Sequence, residues 1–275
     1  MPQSLAAGWL IPEWPAPRGV RAVFTTRAGG VSLPPHDSMN LGDHVGDEPA
    51  RVAANRALLQ RASSARAVFL SQVHGSEVLT LAPDTADGHP ADACVTAQHK
   101  LACTIMVADC LPVLLTTPEG DVVAAAHAGW RGLAGGGSAE PGVLAAVHAS
   151  FCALVQQVRP QSAINIIAWL GPCIGPTAFE VGVEVKAAFE AAQPAAARCF
   201  VDIGAGKFLA NLPALARLRL HALGVSQSQI YGNDGSAPWC TVSNPSLFFS
   251  HRRDAGVNGN GFGTTGRMAA CIWLD

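Results

Sequence analysis

The sequence predicts a single mixed α/β domain, with strands and helices interspersed but no regular strand–helix–strand rhythm. Three observations point there. Several runs are apolar on successive residues, as in strands covered on both faces. Stretches with helical spacing of apolar residues are scattered among them. No internal repeat or linker-like segment divides the 275 residues, a length that fits one large domain or two small ones.

The elements follow in order. Residues 1–19 carry Pro2, Pro12, Pro15 and Pro17 and read as an irregular arm, which leaves 20–275 as the domain. Val20 to Arg27 alternates and is β-branched enough for a strand, and the Gly-Gly and Pro-Pro pairs of 28–35 force a loop after it. Glu48 to Ala62 has helical spacing of Val52, Ala53, Leu58 and Leu59, with Asp47 as the expected N-cap. Short strands are predicted over Val68–Val73 and Val78–Leu81. Three apolar runs come next: Ala93–Thr96, Leu101–Leu115 broken near Asp109, and Asp121–Ala126 after a Pro-Glu-Gly turn. Helices are predicted over Gly142–Val158, Gly182–Ala192 and Leu212–Leu223. Buried strands are expected over Ile164–Leu170 and from Ile230. Ser246–Arg253 reads as extended and Met268–Leu274 as a closing strand.

Composition narrows the function classes. Hydrophobic residues at 49% against 14% charged argue against a disordered chain. A formal net charge of −2 argues against non-specific nucleic-acid binding, which needs a basic surface. No apolar run of about 18 residues predicts a membrane span, and the N-terminus lacks the basic start and apolar core of a secretory signal. Of the eight cysteines, Cys94, Cys103, Cys110, Cys152 and Cys271 lie in or beside apolar runs, like small buried hydrophobes. There is no CxxC pair, so free thiols in a reducing, cytoplasmic setting are expected. The glycine clusters at 129–137 and 256–263 do not spell GxGxxG after a strand, and no P-loop Gly-Lys-Ser/Thr is present.

His74, Cys110 and His127 stand out because each sits in a distinctive phrase: Ser71-Gln-Val-His-Gly-Ser-Glu77, Val107-Ala-Asp-Cys-Leu-Pro-Val113 and Ala124-Ala-Ala-His-Ala-Gly-Trp-Arg-Gly132. Two imidazoles and a thiolate suit a zinc ion with an open fourth position. The same Cys and His equally suit a nucleophile–base pair. Singly, each has an ordinary explanation: a buried structural thiol, a hydrogen-bonded core histidine, and an exposed turn residue. Cys110 stands at a strand end or bend, because Pro112 disfavours an uninterrupted central strand. Asp109 beside it is an acid at the end of an apolar strand, which calls for a reason. The glycines after His127 allow close approach of backbone or ligand.

These phrases belong to a longer ordered series. Thr25-Thr-Arg-Ala-Gly-Gly-Val-Ser32, Asn40-Leu-Gly42, Asn55-Arg56, Gln72-Val-His-Gly75, Ala108-Asp-Cys-Leu-Pro112 and His127-Ala-Gly-Trp-Arg-Gly132 come first. Gly171-Pro-Cys-Ile-Gly-Pro176, Phe179-Glu-Val-Gly182, Cys240-Thr241, Phe249-Ser-His-Arg-Arg-Asp254 and Gly266-Arg267 follow. The series resembles the laccase-domain, multicopper-polyphenol-oxidase-like family, now described as purine nucleoside phosphorylases, over roughly residues 20 to 274. The resemblance implies central mixed β-sheets flanked by helices, and zinc held by residues matching His74, Cys110 and His127. It further implies phosphorolysis of adenosine, inosine and methylthioadenosine, with adenosine deamination as a further activity and copper-dependent phenol oxidation also attributed to the family.

On that footing, His74, Cys110 and His127 are both metal ligands and catalytic candidates. Arg27 is a candidate phosphate or ribose partner, because a guanidinium offers a planar fork of donors. Arg131 and Arg253 are similar candidates, with surface ion pairing as the competing role. Asn40 and Gln72, within two of the matching phrases, join them on the substrate or phosphate side. Asp109 is expected to orient a metal-bound histidine. The expected partners are therefore a purine nucleoside and phosphate, with neither nucleic acid nor membrane. Family members pass quickly from the His-Ala-Gly-Trp-Arg segment into a helix, whereas here residues 135–141 intervene and are expected to delay it. Three rival readings accompany zinc phosphorolysis: a metal-independent Cys–His hydrolase or amidase, a copper oxidase, and a non-enzymatic zinc-binding interaction module. The copper reading has no HxH pair to support it.

Overall fold

A computed structural model describes residues 8–136, 141–254 and 264–275. Its elements are, in chain order, β1 (Val20–Phe24), α1 (Pro49–Ser63), β2 (Arg66–Phe69), β3 (Val78–Thr80), β4 (Ala93–Thr96), β5 (Leu101–Val107), β6 (Leu111–Thr116) and β7 (Val123–Ala128). Then come α2 (Trp130–Ala134), α3 (Val143–Val158), β8 (Ile167–Leu170), β9 (Glu180–Gly182), α4 (Val183–Ala192), β10 (Phe200–Gly204) and β11 (Lys207–Ala210). The chain ends with α5 (Leu212–Ala222), β12 (Ile230–Gly232), α6 (His251–Asp254) and β13 (Met268–Leu274).

Two mixed sheets carry the fold. One has the order β1-β13-β5-β2 and the other β12-β8-β6-β7-β4-β3, while β10-β11-β9 form a small third sheet. β4 to β8 and β13 are buried along their whole length, as their unbroken apolar runs predict. Burial alternates by face. Leu111, Val113, Leu115, Ala124, Ala126 and Ala128 pack with residues of α3, α4 and α5. Leu114, Val123, Ala125 and Cys94 face Cys103, Ile105, Ala270 and Ile272 of the other sheet. That sheet's far side, including Ala102, Met106 and Cys271, packs with Leu59 of α1. The layers thus run helix, sheet, sheet, helices.

The expected break near Asp109 is a change of sheet. β5 belongs to the four-stranded sheet and β6 to the six-stranded one, so residues 108–110 carry the chain across the seam. Pro112 nevertheless lies inside β6, opposite His127. Its carbonyl accepts from Gly171 N at 3.0 Å. Proline returns no N–H to the Gly171 oxygen, and Asn233 Nδ2 donates to it instead at 2.9 Å.

Several boundaries differ from the sequence reading. β1 ends at Phe24 and not at Arg27. Asp47 does not cap α1: Glu48 holds the cap position without a side-chain bond, and the Asp47 carboxylate accepts from Ser32, Asn40 and its neighbour's amide. Ser246–Arg253 is not extended; it turns and enters α6. The third sheet was not anticipated, because its exposed strands lack sustained apolar runs. After His127 the chain enters the one-turn α2 at once, and the long α3 starts only at Val143. Residues 137–140 of the intervening stretch, and the glycine cluster at 256–263, lie outside the described residues, as do 1–7 of the N-terminal arm. The described part of the arm pairs Leu10 with Phe24.

Candidate metal and nucleoside site

The site lies where the two sheets part. Cys110 is the last residue of the crossing, half-buried and just ahead of β6. Asp109 before it has φ 91°, a left-handed conformation that costs free energy for a non-glycine residue. Its surroundings hold it there. Thr241 Oγ1 donates to Asp109 Oδ1 at 2.5 Å, Arg252 N donates to Oδ2 at 2.6 Å, and its carbonyl accepts from Ile174 N at 2.9 Å.

His127 lies in β7 on the same face as Ala125, directed to the seam. Its Nδ1–H donates to Asp92 Oδ1 at 2.8 Å and its backbone N to the Asp92 carbonyl at 2.7 Å. That bond leaves Nε2 as the free ring nitrogen. The same Asp92 carboxylate accepts the amides of Val73 (3.1 Å), His74 (2.9 Å) and Gly75 (2.7 Å). One buried carboxylate therefore fixes both the His127 ring and the turn carrying His74, whose φ is 61°.

The outcome is a converged trio. The ligand atoms of His74, Cys110 and His127 all lie within 4.8 Å of one another, and His74 Nε2 is 3.8 Å from Cys110 Sγ. Gly129 makes this possible: a Cβ there would sit 2.9 Å from His74 Cδ2 and 3.1 Å from Cys110 Sγ.

The charges of the trio are coupled. Burial alone would push the Cys110 thiol up, but the His127 charge and hydrogen bonds from both imidazoles outweigh it and bring the thiol to about 6. Burial would lower His127, yet the Cys110 charge and the Asp92 hydrogen bond raise it to about 9. In the metal-free site both shifts favour the thiolate–imidazolium pair. Asp92 is held below the ordinary carboxylate value: burial opposes this, and the bonds from His127 and the turn amides prevail. Nitrogen and thiolate donors with a carboxylate behind one imidazole are a donor set that suits zinc.

A cavity of about 330 Å³ opens over the trio, a volume within the range of small-molecule sites. Gln72 lines it as expected, but both ends of its amide are committed to Met106: Nε2 donates to the carbonyl and Oε1 accepts from the amide, each at 2.8 Å. Asp109 lines it too, but its carboxylate bonds to Thr241 and the Arg252 amide; the carboxylate bonded to His127 is that of Asp92. Arg27 does not line the cavity. It donates to the carbonyls of Asp37 and Pro245 and stacks on Phe249. Arg131 is exposed over Trp130, and Arg253 is tied to Asp254 and to backbone carbonyls. Asn40 is buried among Gly42, Asp47 and the Arg267 amide. The arginines that do line the cavity are Arg252 and Arg267. Sequence reasoning missed them and Asp92. Asp92 carried the signal that singled out Asp109, an acid against an apolar strand, and Arg252 stands one residue from the arginine chosen.

The profile of the family described as multi-copper polyphenol oxidoreductase laccase matches residues 21–275. The chain belongs to this family. Among laccase-family relatives, "Purine nucleoside phosphorylase YfiH" of Escherichia coli is 46% identical over 267 residues, covering 96% of this chain and 98% of its own. A Haemophilus influenzae relative named "Purine nucleoside phosphorylase" is 42% identical, covering 96% and 98%. A crystal structure of a Neisseria meningitidis protein, NMB0706, superposes with TM-score 0.83 at 46% identity, over 98% of this chain and 99% of its own. YlmD from Geobacillus stearothermophilus gives TM-score 0.80 at 31% identity, over 99% and 98%. The family description speaks of several coppers. Among the described residues, one group of metal-capable side chains is found, the trio. No described helix is long and apolar enough to cross a membrane.

Proposed function

We propose that the chain is a zinc-dependent purine nucleoside phosphorylase acting on adenosine, inosine and methylthioadenosine. The observation that carries this reading is the convergence of His74, Cys110 and His127 on one ligand-sized cavity, in a chain whose relatives are named for that activity. The reaction breaks the bond between the sugar C1′ and the base nitrogen. A phosphate oxygen takes C1′, and the proton of hydrogen phosphate ends on the departing base. Held by His74, Cys110 and His127, a zinc ion would supply positive charge and Lewis acidity. Asp92 keeps His127 in the tautomer that presents Nε2 and holds the His74 turn in place. Trp130 and Phe179 in the cavity wall offer aromatic faces for the purine. The eight free thiols support a reducing, cytoplasmic setting.

Chromatography of products from a nucleoside panel, with and without phosphate, tests the proposal. Base release that requires phosphate and yields sugar 1-phosphate is the expected result, with inosine appearing from adenosine if deamination accompanies it. His74→Ala and Cys110→Ala should lose zinc and phosphorolysis together; retention of both would sink the assignment.

The thiolate–imidazolium pair favours one second reading, a Cys–His hydrolase or amidase that works without metal. It predicts activity that survives strong chelation and is abolished by alkylation of Cys110.

A further inference from the structure

We propose that Arg267 and Arg252 form an oxyanion subsite beside the trio and that it receives inorganic phosphate as co-substrate, a step that rests on the phosphorolysis reading. Both arginines line the cavity over Cys110. Arg267 is held from several sides. Its Nη1 donates to the carbonyls of Thr265 at 2.9 Å and Gly266 at 3.3 Å, and its backbone amide donates to Asn40 Oδ1 at 2.8 Å. Its stem packs so closely on Gly42 that a Cβ there would lie 2.8 Å from Arg267 Cγ. Asn40 and Gly42, which stand in one recognisable phrase of the sequence, thus serve to place this guanidinium.

Arg252 is anchored differently. Its amide donates to Asp109, and its Nη1 and Nη2 donate to the carbonyls of Ala178 and Glu180 at 3.4 and 3.1 Å. Its guanidinium stands 5.8 Å over the Phe179 ring.

Among the described residues no carboxylate lies within ion-pair distance of Arg252 or Arg267. The one carboxylate in the cavity wall, Asp109, has one oxygen bonded to Thr241 and the other to the Arg252 amide. Burial lowers the Arg267 proton affinity, opposed by the Cys110 and Asp109 charges, and a guanidinium stays protonated in a protein regardless. Two positioned guanidiniums with no carboxylate in ion-pair contact, lining a ligand-sized cavity, suit a tetrahedral dianion, which accepts bidentate donors at full charge. Arg27, Arg131 and Arg253, by contrast, do not line the cavity.

The test uses purified zinc-loaded protein, wild type and the variants Arg252→Gln, Arg267→Gln and Arg267→Lys. Titration calorimetry measures the Kd for inorganic phosphate and for adenosine 5′-monophosphate, and steady-state kinetics measures KM for phosphate and for adenosine. Each Gln variant should raise the phosphate Kd and KM roughly tenfold or more, with adenosine KM and zinc content near wild type. Arg267→Lys should recover part of the loss by keeping the charge. If Arg267→Gln fails to fold, Arg252→Gln and Arg267→Lys decide the matter. Unchanged phosphate Kd and KM in the variants would overturn the subsite even where phosphorolysis is real. Base release that ignores phosphate in the wild type would overturn phosphorolysis, while the phosphate Kd still judges the arginines. Arginine-dependent binding of the nucleotide with no binding of free phosphate would overturn inorganic phosphate as the occupant.

Discussion

Asp92 shows how much one residue can organise: a single buried carboxylate receives three turn amides and an imidazole. Asp92→Asn keeps the size but presents one oxygen in place of two, so the His74 turn and the His127 ring cannot both be held. Zinc affinity should fall roughly 10- to 100-fold, as for other carboxylates behind a metal-bound histidine, and competition with a chelating indicator measures it. Gly129→Ala places a methyl 2.9 Å from the His74 ring and 3.1 Å from Cys110 Sγ. Zinc stoichiometry should therefore drop while the circular-dichroism spectrum is unchanged. A third outcome concerns pH. In chelator-stripped protein the Cys110 thiol, at about 6, becomes thiolate as pH rises through that value, so iodoacetamide labelling should climb with a midpoint near pH 6. Cys103, Cys173 and Cys271, buried and with thiol pKa values raised first by that burial, should remain unlabelled. Peptide mass spectrometry distinguishes them. A midpoint near that of an ordinary thiol would contradict the pairing with His127.

Elements were legible in the sequence where a long apolar run or helical period spoke for them, and opaque where tertiary contacts decided. β5, β6, β7, β13, α3 and α5 fall within a residue or two of their expected spans, because burial on both faces or a helical stripe leaves a continuous signature. β9 to β11 carry no such signature: Val201 and Ile203 are exposed, and these strands pair with one another at the edge. Asp47 reads as a cap from its position alone, but Ser32 and Asn40 compete for its oxygens and win. The trio itself was legible through its phrases, whereas Asp92 and the two cavity arginines required the fold to bring segments far apart in sequence together. Pro112 marks the finest case. The rule against proline in a central strand is obeyed chemically although the proline is there, because Asn233 supplies the missing donor. Asn233→Ala should strand the Gly171 carbonyl and cost about 1–3 kcal/mol, read as a lowered urea midpoint at constant slope. A variant with wild-type stability would show that solvent satisfies that oxygen.

At the scale of the molecule, the site is a property of the seam between two sheets. Cys110 comes from the strand-to-strand crossing and His127 from the six-stranded sheet's inner face. The cavity wall also includes Met106 and Val107 of the four-stranded sheet. The spacing of the sheets is set beneath the trio by small side chains such as Ala125, fully buried two residues before His127 and on its face. Ala125→Leu forces extra volume into that close-packed layer. It should destabilise by roughly 1–3 kcal/mol and also weaken zinc binding several-fold, since any widening moves His127 relative to Cys110. Leu144→Ala, in α3 on the opposite side of the same sheet, is the contrasting case. It should cost more stability, roughly 2–5 kcal/mol, yet leave zinc affinity at the wild-type level, because a cavity under a helix does not shift one sheet against the other. Denaturant unfolding and chelator competition on both variants give the comparison. Zinc affinity that followed overall stability, falling further in Leu144→Ala than in Ala125→Leu, would show that the seam does not set the geometry of the trio.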